Sequence, residues 1–175
     1  MIKEEEIRDE YLFSTIKAMA TAARTAPKAR GTDNLLIRIC DKEDIKQISL
    51  QLEKDFQSTG QEFLLRDSQN ILNASYLLLI ATKVQVLGLN CGYCGFATCA
   101  EKNKAGKTVP CFFNAEDMGL AVGSAVSVAM ERRVDNRVMF SAGSAAVKIG
   151  LVEDCRQCLA IPLNVSAKNP FFDRK

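Results

Sequence analysis

Residues 76–81 read Tyr76-Leu77-Leu78-Leu79-Ile80-Ala81, an apolar run without a charged residue. A strand that is apolar at every position is typically buried on both faces, so this run predicts a central strand. We take it as the centre of the predicted fold.

The chain before this strand is predicted to be mostly helical. Apolar residues at helical spacing predict helices over residues 3–24 and 62–73. A further helix is predicted between Asp41, a good N-cap, and Gly60, a good terminator. The run from Leu35 to Cys40 contains β-branched residues and predicts a second strand.

The chain after the central strand contains a long apolar helix. We predict that it begins at a capping Asn114 and runs to about Arg133, with small residues on one side at Gly119, Gly123 and Ser127. Such a helix packs closely against a neighbour or a symmetry mate, and it is too short and too rich in serine for a membrane span. A helix over 141–149 and a strand over 160–165 complete an α+β fold in one domain, residues 1–175.

Between the central strand and the apolar helix lies a cysteine-rich loop, residues 88–112. It reads Cys91-Gly92-Tyr93-Cys94-Gly95-Phe96-Ala97-Thr98-Cys99 and reaches its fourth cysteine at Cys111. Thiolates packed this closely repel one another and oxidise easily, so they are expected to be metal ligands. We treat the loop as an insertion within the one domain.

The spacing of these cysteines favours an iron–sulfur cluster over zinc. Structural zinc sites commonly use two separate Cys-x-x-Cys pairs, whereas here three ligands fall within nine residues and must wrap around one object. Gly92 and Gly95 suit that wrapping because they let the backbone approach the cluster and direct amides at sulfur. Zinc and an unmetallated loop stay open as alternatives.

Two resemblances support this interpretation. The Cys-Gly-x-Cys-Gly pattern, with a third cysteine soon after and a more distant fourth, resembles the short 4Fe–4S domain of bacterial electron-transfer and corrinoid-pathway proteins. Over its full length, including the ending Lys168-Asn169-Pro170-Phe171-Phe172-Asp173-Arg174, the chain resembles the uncharacterised ferredoxin-domain-containing proteins of anaerobic bacteria and archaea.

The flanking regions resemble the nitroreductase-like flavoproteins. The resemblance rests on a helix ending Ala22-Ala23-Arg24-Thr25-Ala26-Pro27, on the apolar central helix, and on a closing strand with Ile161-Pro162-Leu163. It implies nitroreductase-like helices around a small mixed sheet, and a homodimer with FMN at the interface. The family's early arginine-serine-arginine phosphate grip is missing. The residues left to hold a flavin phosphate are Arg24, Lys28, Arg30 and Lys168; a solvated basic loop is the alternative.

Composition excludes several classes of function. The net charge of +2 does not suggest nucleic-acid or membrane binding. The absence of histidine removes Ser-His and Cys-His nucleophilic pairs. Without an export signal, seven cysteines indicate a reducing, cytoplasmic location.

Other polar and sulfur residues carry weaker signals. Cys155 and Cys158 form a second Cys-x-x-Cys, either a redox or auxiliary-ligand pair or simply buried small residues, and Cys40 is expected to be structural. Lysines between the third and fourth cysteines either receive an acidic electron-transfer partner or are solvated; they are Lys102, Lys104 and Lys107.

Two functions follow from these observations. The first is a redox protein whose 4Fe–4S cluster, held by Cys91, Cys94, Cys99 and Cys111, passes single electrons to a partner protein or a bound flavin. In the flavin case the protein would be an FMN-dependent oxidoreductase. The second is a non-catalytic sensor or interaction module in which a bound zinc ion or cluster holds the loop in one conformation.

Overall fold

A computed structural model describes residues 1–106 and 109–172. The elements follow one another as α1 (Glu4–Thr25), β1 (Leu35–Cys40), α2 (Lys42–Thr59), α3 (Glu62–Ile71), β2 (Tyr76–Lys83), α4 (Cys99–Lys104), α5 (Phe112–Glu131), β3 (Asp135–Asn136), α6 (Phe140–Lys148) and β4 (Cys155–Asn164). Short 3₁₀ turns occur at Ala29–Gly31 and Pro170–Phe172.

The four strands form one sheet in the order β1-β2-β4-β3. The prediction of a central strand is confirmed, because β2 lies between β1 and β4 and its residues 77–82 are buried. The α+β class is also confirmed. We predicted a mixed sheet, with both parallel and antiparallel pairs. That prediction was wrong, because every described strand pairing is antiparallel.

Each face of the sheet is covered by its own helices and has its own core. Helices α2, α3 and α6 pack on one face around Ile48, Leu79 and Ala145. Helices α1 and α5 pack on the other face around Ile16, Ile80 and Ala125. Alternate residues of β2 serve the two cores, which explains why the strand has no polar side.

Helix α6 approaches β4 so closely that one position admits only glycine. A Cβ atom on Gly143 would lie 2.0 Å from the carbonyl oxygen of Cys158. No side chain can occupy that space, because the obstructing atom belongs to the backbone of the strand.

The predicted element boundaries are largely confirmed. Strand β1 has the predicted bounds, and Asp41 caps α2 by accepting hydrogen bonds from the amides of Glu43 and Asp44. Gly60 ends α2 with a φ of 69°. Helix α4 and the two-residue strand β3 were not predicted, because neither segment is long enough to show a hydrophobic period.

Strand β4 starts at Cys155, five residues earlier than predicted, and the added residues contain a bulge opposite β2. Thr82 pairs with Gln157 and Lys83 pairs with Cys155, so Arg156 is an extra residue without a partner on β2. The bulge turns Cys155 and Cys158, three residues apart, toward the same core. In the described residues, no helix has the length and apolarity needed to cross a bilayer.

Candidate metal centre

The cysteine loop leaves the sheet at the end of β2 and returns at the start of α5. Cys91 and Cys94 lie on the irregular segment after β2, Cys99 is the first residue of α4, and Cys111 is the N-cap of α5. The loop thus connects the central strand to a helix that packs one face against the core, and both of its ends are held in place.

All four predicted cysteine ligands line a single pocket. Its atom-free space is about 330 Å³, part of it open to solvent. The other side chains around it are mostly apolar, including Val86, Leu87, Leu89, Phe96, Phe112 and Phe113. Iron–sulfur clusters are typically held by cysteine thiolates in apolar surroundings. The burial of the cluster and its exposure to solvent help to set its reduction potential.

The four thiols differ in exposure. Cys91 is exposed, Cys94 and Cys99 are half-buried, and Cys111 is 9% exposed. All four are free thiols rather than disulfides. Among the residues that the structure describes, no group of three or more potential ligands is close enough to hold a single metal ion.

The two glycines of the motif occupy backbone conformations that other residues rarely adopt. Gly92 has a φ of 77° and Gly95 a φ of 86°, and the amide of Gly95 donates to the carbonyl oxygen of Gly92 at 2.9 Å. This turn reverses the chain between Cys91 and Cys94. The sequence pattern therefore has a conformational reason.

Asn90 and Cys99 hold the two halves of the loop together. The amide of Cys99 donates to Asn90 Oδ1 at 2.8 Å, and the amide of Asn90 donates to Cys99 Sγ at 3.4 Å. An amide directed at sulfur was expected from the glycines; the structure supplies it from Asn90, which has a φ of 49°. Asparagine adopts a positive φ more readily than most residues, so an asparagine directly before Cys91 was the one sequence feature that could have indicated this turn.

Helix α5 begins at Phe112, so Cys111 and not Asn114 is its N-cap. The prediction of an Asn114 cap was wrong because the helix starts one turn earlier, which leaves Asn114 inside its first turn. Cys111 consequently lies at the positive end of a helix of 20 residues, where a negative charge is favoured.

Asn114 fastens the loop to the helix instead of capping it. Its Nδ2 donates to the carbonyl oxygen of Gln85 at 2.7 Å, and its Oδ1 accepts from Asn34 Nδ2 at 3.1 Å. Asn114 is 2% exposed. This buried link joins the start of α5, the start of β1 and the first residues of the loop.

Further contacts attach the loop to the α1 side of the molecule. Arg30 donates to the carbonyl oxygen of Leu87 at 2.7 Å, and the amide of Ala29 donates to both carboxylate oxygens of Asp117 at 3.0 and 3.1 Å. Tyr93 stacks on Phe113, with ring centroids 5.9 Å apart. No local pattern predicts these partners, since they depend on the tertiary arrangement.

The four cations predicted to hold a flavin phosphate do not come together in one chain. Arg24 pairs with Asp33, and Lys28 Nζ donates to three carbonyl oxygens at the end of α1. These two and Arg30 lie near the Thr82 end of β2. Lys168 follows β4 beyond its pairing with Tyr76, at the other end of a strand about 23 Å long.

The lysines of the loop have different environments. Lys102 is buried, with 2% of its surface exposed, whereas Lys104 is exposed. Lys107 lies outside the described residues. A buried Lys102 cannot serve as a docking charge for an acidic partner.

The remaining three cysteines are buried in the core on the α6 side of the sheet. Burial raises the pKa of Cys40 and of Cys158 to about 12, and it also raises the pKa of Cys155. A raised pKa keeps each thiol protonated at neutral pH. This favours a structural role for all three residues, because reactive thiols have lowered pKa values.

The fold is that of FMN-binding nitroreductases. A nitroreductase with bound FMN from Bacteroides fragilis superposes with a TM-score of 0.63 at 10% identity, over 93% of this chain and 81% of that one. One from Desulfitobacterium hafniense gives 0.62 at 12%, over 96% and 80%. A BluB-like flavoprotein from Clostridium difficile gives 0.57 at 17%, over 96% and 85%. At these identities the likeness shows the fold alone.

Sequence comparison then defines the family. The pattern of a family described as uncharacterized proteins containing a ferredoxin domain matches residues 107–174, a range that includes Cys111. An uncharacterized protein from Archaeoglobus fulgidus is 33% identical over 181 residues, which cover 99% of this chain and 97% of the relative. The chain belongs to this family of uncharacterized proteins containing a ferredoxin domain.

Proposed function

We propose that this protein is a redox protein in which Cys91, Cys94, Cys99 and Cys111 hold a 4Fe–4S cluster. The observation that carries the proposal is the pocket that these four cysteines share. When bound, such a cluster takes up and releases single electrons. The family's ferredoxin domain and the flavoprotein-like fold agree with a redox role.

Residues of the chain would set how the site behaves. The amide of Asn90 directs a hydrogen bond at Cys99 Sγ, and the N-terminus of α5 faces Cys111. Both features favour additional negative charge on the sulfur ligands. The exposed Cys91 forms the side of the site nearest to solvent, where an electron-transfer partner protein would approach.

Anaerobic purification tests the proposal. The full chain is expected to be brown, to contain iron and inorganic sulfide, and to bleach with dithionite. Replacing Cys94 or Cys99 by serine is expected to remove colour and iron. Replacing the buried Cys155 by alanine is the matched control and should leave both unchanged. Colourless protein with one zinc per chain would refute the proposal and favour a metal-stapled, non-catalytic module.

Flavin binding and dimerisation belong to the same proposal in a second step. The nitroreductases from Bacteroides fragilis and Desulfitobacterium hafniense that share this fold contain bound FMN. In this chain, the cations expected at a flavin phosphate lie at both ends of β2, so one chain alone does not assemble the predicted phosphate site. We therefore propose a homodimer, with FMN binding tested by the flavin released on denaturation.

The domain organisation is proposed on the same basis. Residues 1–175 form one nitroreductase-like domain, and residues 88–112 are an insertion that carries the cluster. Deleting residues 91–105 and joining the ends with a short glycine linker should preserve the far-ultraviolet circular dichroism of the remaining helices. Loss of that signal would show that the loop is part of the folding unit.

A further inference from the structure

A second pocket lies beside the cysteine pocket, at the bulged end of β2 and β4. Its atom-free space is about 500 Å³, part of it open to solvent. Cys111 lines both pockets. The residues that matter for its chemistry are Thr82, Lys83, Arg156 and Gln157.

Two residues that line this pocket each carry a buried polar atom with no hydrogen-bond partner among residues 1–106 and 109–172. They are Thr82 Oγ1 and Gln157 Oε1, on residues that pair directly across β2 and β4. Thr82 is only 3% exposed. An unpaired buried polar atom costs about 1–3 kcal/mol, so two of them on paired residues mark a place where a bound ligand would complete their hydrogen bonds.

Two cations line the same pocket. Lys83 is half-buried, and Arg156 is the extra residue of the bulge. Within residues 1–106 and 109–172, neither side chain has an ion pair, and no carboxylate lines the pocket. Bulges commonly redirect a side chain next to a binding site.

We propose that this pocket binds a small anion that also carries an N–H or O–H donor. Its carboxylate or phosphate pairs with Lys83 and Arg156, because both groups accept hydrogen bonds from cations. Its donor satisfies Gln157 Oε1, and Thr82 Oγ1 either donates to it or accepts from it. The ligand would lie next to Cys111, although the binding site itself does not depend on a cluster.

Calorimetric titration of the full chain, purified anaerobically, tests this inference with three probes. Glycolate has a carboxylate and a hydroxyl donor, acetate has the carboxylate alone, and inorganic phosphate is the third probe. Glycolate is expected to bind about tenfold more tightly than acetate because only glycolate satisfies Gln157 Oε1. A preference between glycolate and phosphate identifies the type of anion.

Three variants separate a built site from general charge attraction. Arg156→Gln is expected to weaken glycolate binding about tenfold, whereas Lys46→Gln, on the exposed side of α2, should leave it unchanged. Thr82→Val removes an unpaired hydroxyl, so the variant should fold at least as stably as the parent chain and still bind glycolate several-fold more weakly.

The inference would be overturned if none of the three probes showed saturable binding. Equal binding by the Arg156 and Lys46 variants would also overturn it. Because calorimetry does not detect colour, a failure here is distinct from a failure to find the cluster.

Discussion

The side-chain amide of Asn114 donates a 2.7 Å hydrogen bond to the carbonyl oxygen of Gln85, which joins the first turn of α5 to the segment that leads from β2 into the cysteine loop. Asn114 lies three residues after Cys111, and Gln85 lies six residues before Cys91. One buried side chain therefore sets the distance between the two ends of the loop that carries the proposed ligands.

Replacing Asn114 by alanine should loosen this attachment. The change leaves Asn34 Nδ2 and the Gln85 carbonyl without a partner, so the free energy of unfolding is expected to fall by about 1–3 kcal/mol. Iron content should fall as well. Urea denaturation and iron analysis measure the two effects. Asn103→Ala, at an exposed position of α4, is the control and should change neither.

Replacing Gly143 by alanine should destabilise the contact between α6 and β4. The new methyl group meets the Cys158 carbonyl, and helix and strand must separate. Overpacking of this kind costs about 1–3 kcal/mol or more, which outweighs the higher helix propensity of alanine. The melting temperature of Gly143→Ala, compared with that of Ser144→Ala at an exposed neighbouring position, tests this prediction. Equal melting temperatures would contradict the close approach.

The buried thiols should make stability depend on alkaline pH. The ordinary cysteine pKa is 9.0, and burial raises the pKa of Cys40 and Cys158 to about 12 in the folded chain. Below pH 9 both states keep these protons. Between pH 9 and 12 only the unfolded chain releases them, so the free energy of unfolding decreases as pH rises, by about 1.4 kcal/mol per pH unit for each thiol.

Denaturation of Cys158→Ala across this pH range provides the check. The variant should show a shallower decrease than the parent chain, because one titrating thiol has been removed. Ser144→Ala should keep the parent slope. Identical slopes in all three proteins would mean that Cys158 does not contribute.

The exposed face of α5 should form the contact between two chains. Gly119, Gly123 and Ser127 are exposed, and Leu120 beside them is 48% exposed. The prediction of close helix packing at these small residues therefore requires a second copy. Gly123→Arg is expected to convert a dimer into a monomer in sedimentation velocity, whereas Ser144→Arg on α6 should not. A parent chain that sediments as a monomer would contradict the proposed dimer.

Removing metal should leave the fold intact. Among the described residues, none of the four loop cysteines belongs to either core. Iron chelation under reducing conditions is expected to abolish visible absorption while far-ultraviolet circular dichroism stays nearly unchanged. Collapse of the helical signal would show that metal binding and folding of the domain are coupled.

The elements that could be predicted from the sequence are those with a strong local signal. The run at residues 76–81, the Asp41 cap and the Gly60 terminator each depend on neighbouring residues alone. The grouping of the four cysteines around one pocket could be predicted because its members lie close together in sequence. Their role as metal ligands stays a prediction.

Other features depend on contacts between distant segments. The bulge at Arg156 and the pairing of Thr82 with Gln157 are set by strand register, which no local pattern specifies. Arg24 and Lys168 were both predicted to hold a flavin phosphate, yet they lie near opposite ends of β2. Residue type identified candidates, but only the topology could tell which of them meet.

The separation of the cysteine pocket from both cores has a consequence for how the protein matures in the cell. On the proposed function, the chain would complete its sheet and helices without iron, and the loop would receive inorganic iron and sulfide afterwards. Damage by oxygen would then be local and repairable, because the same polypeptide could be reloaded rather than degraded and synthesised again.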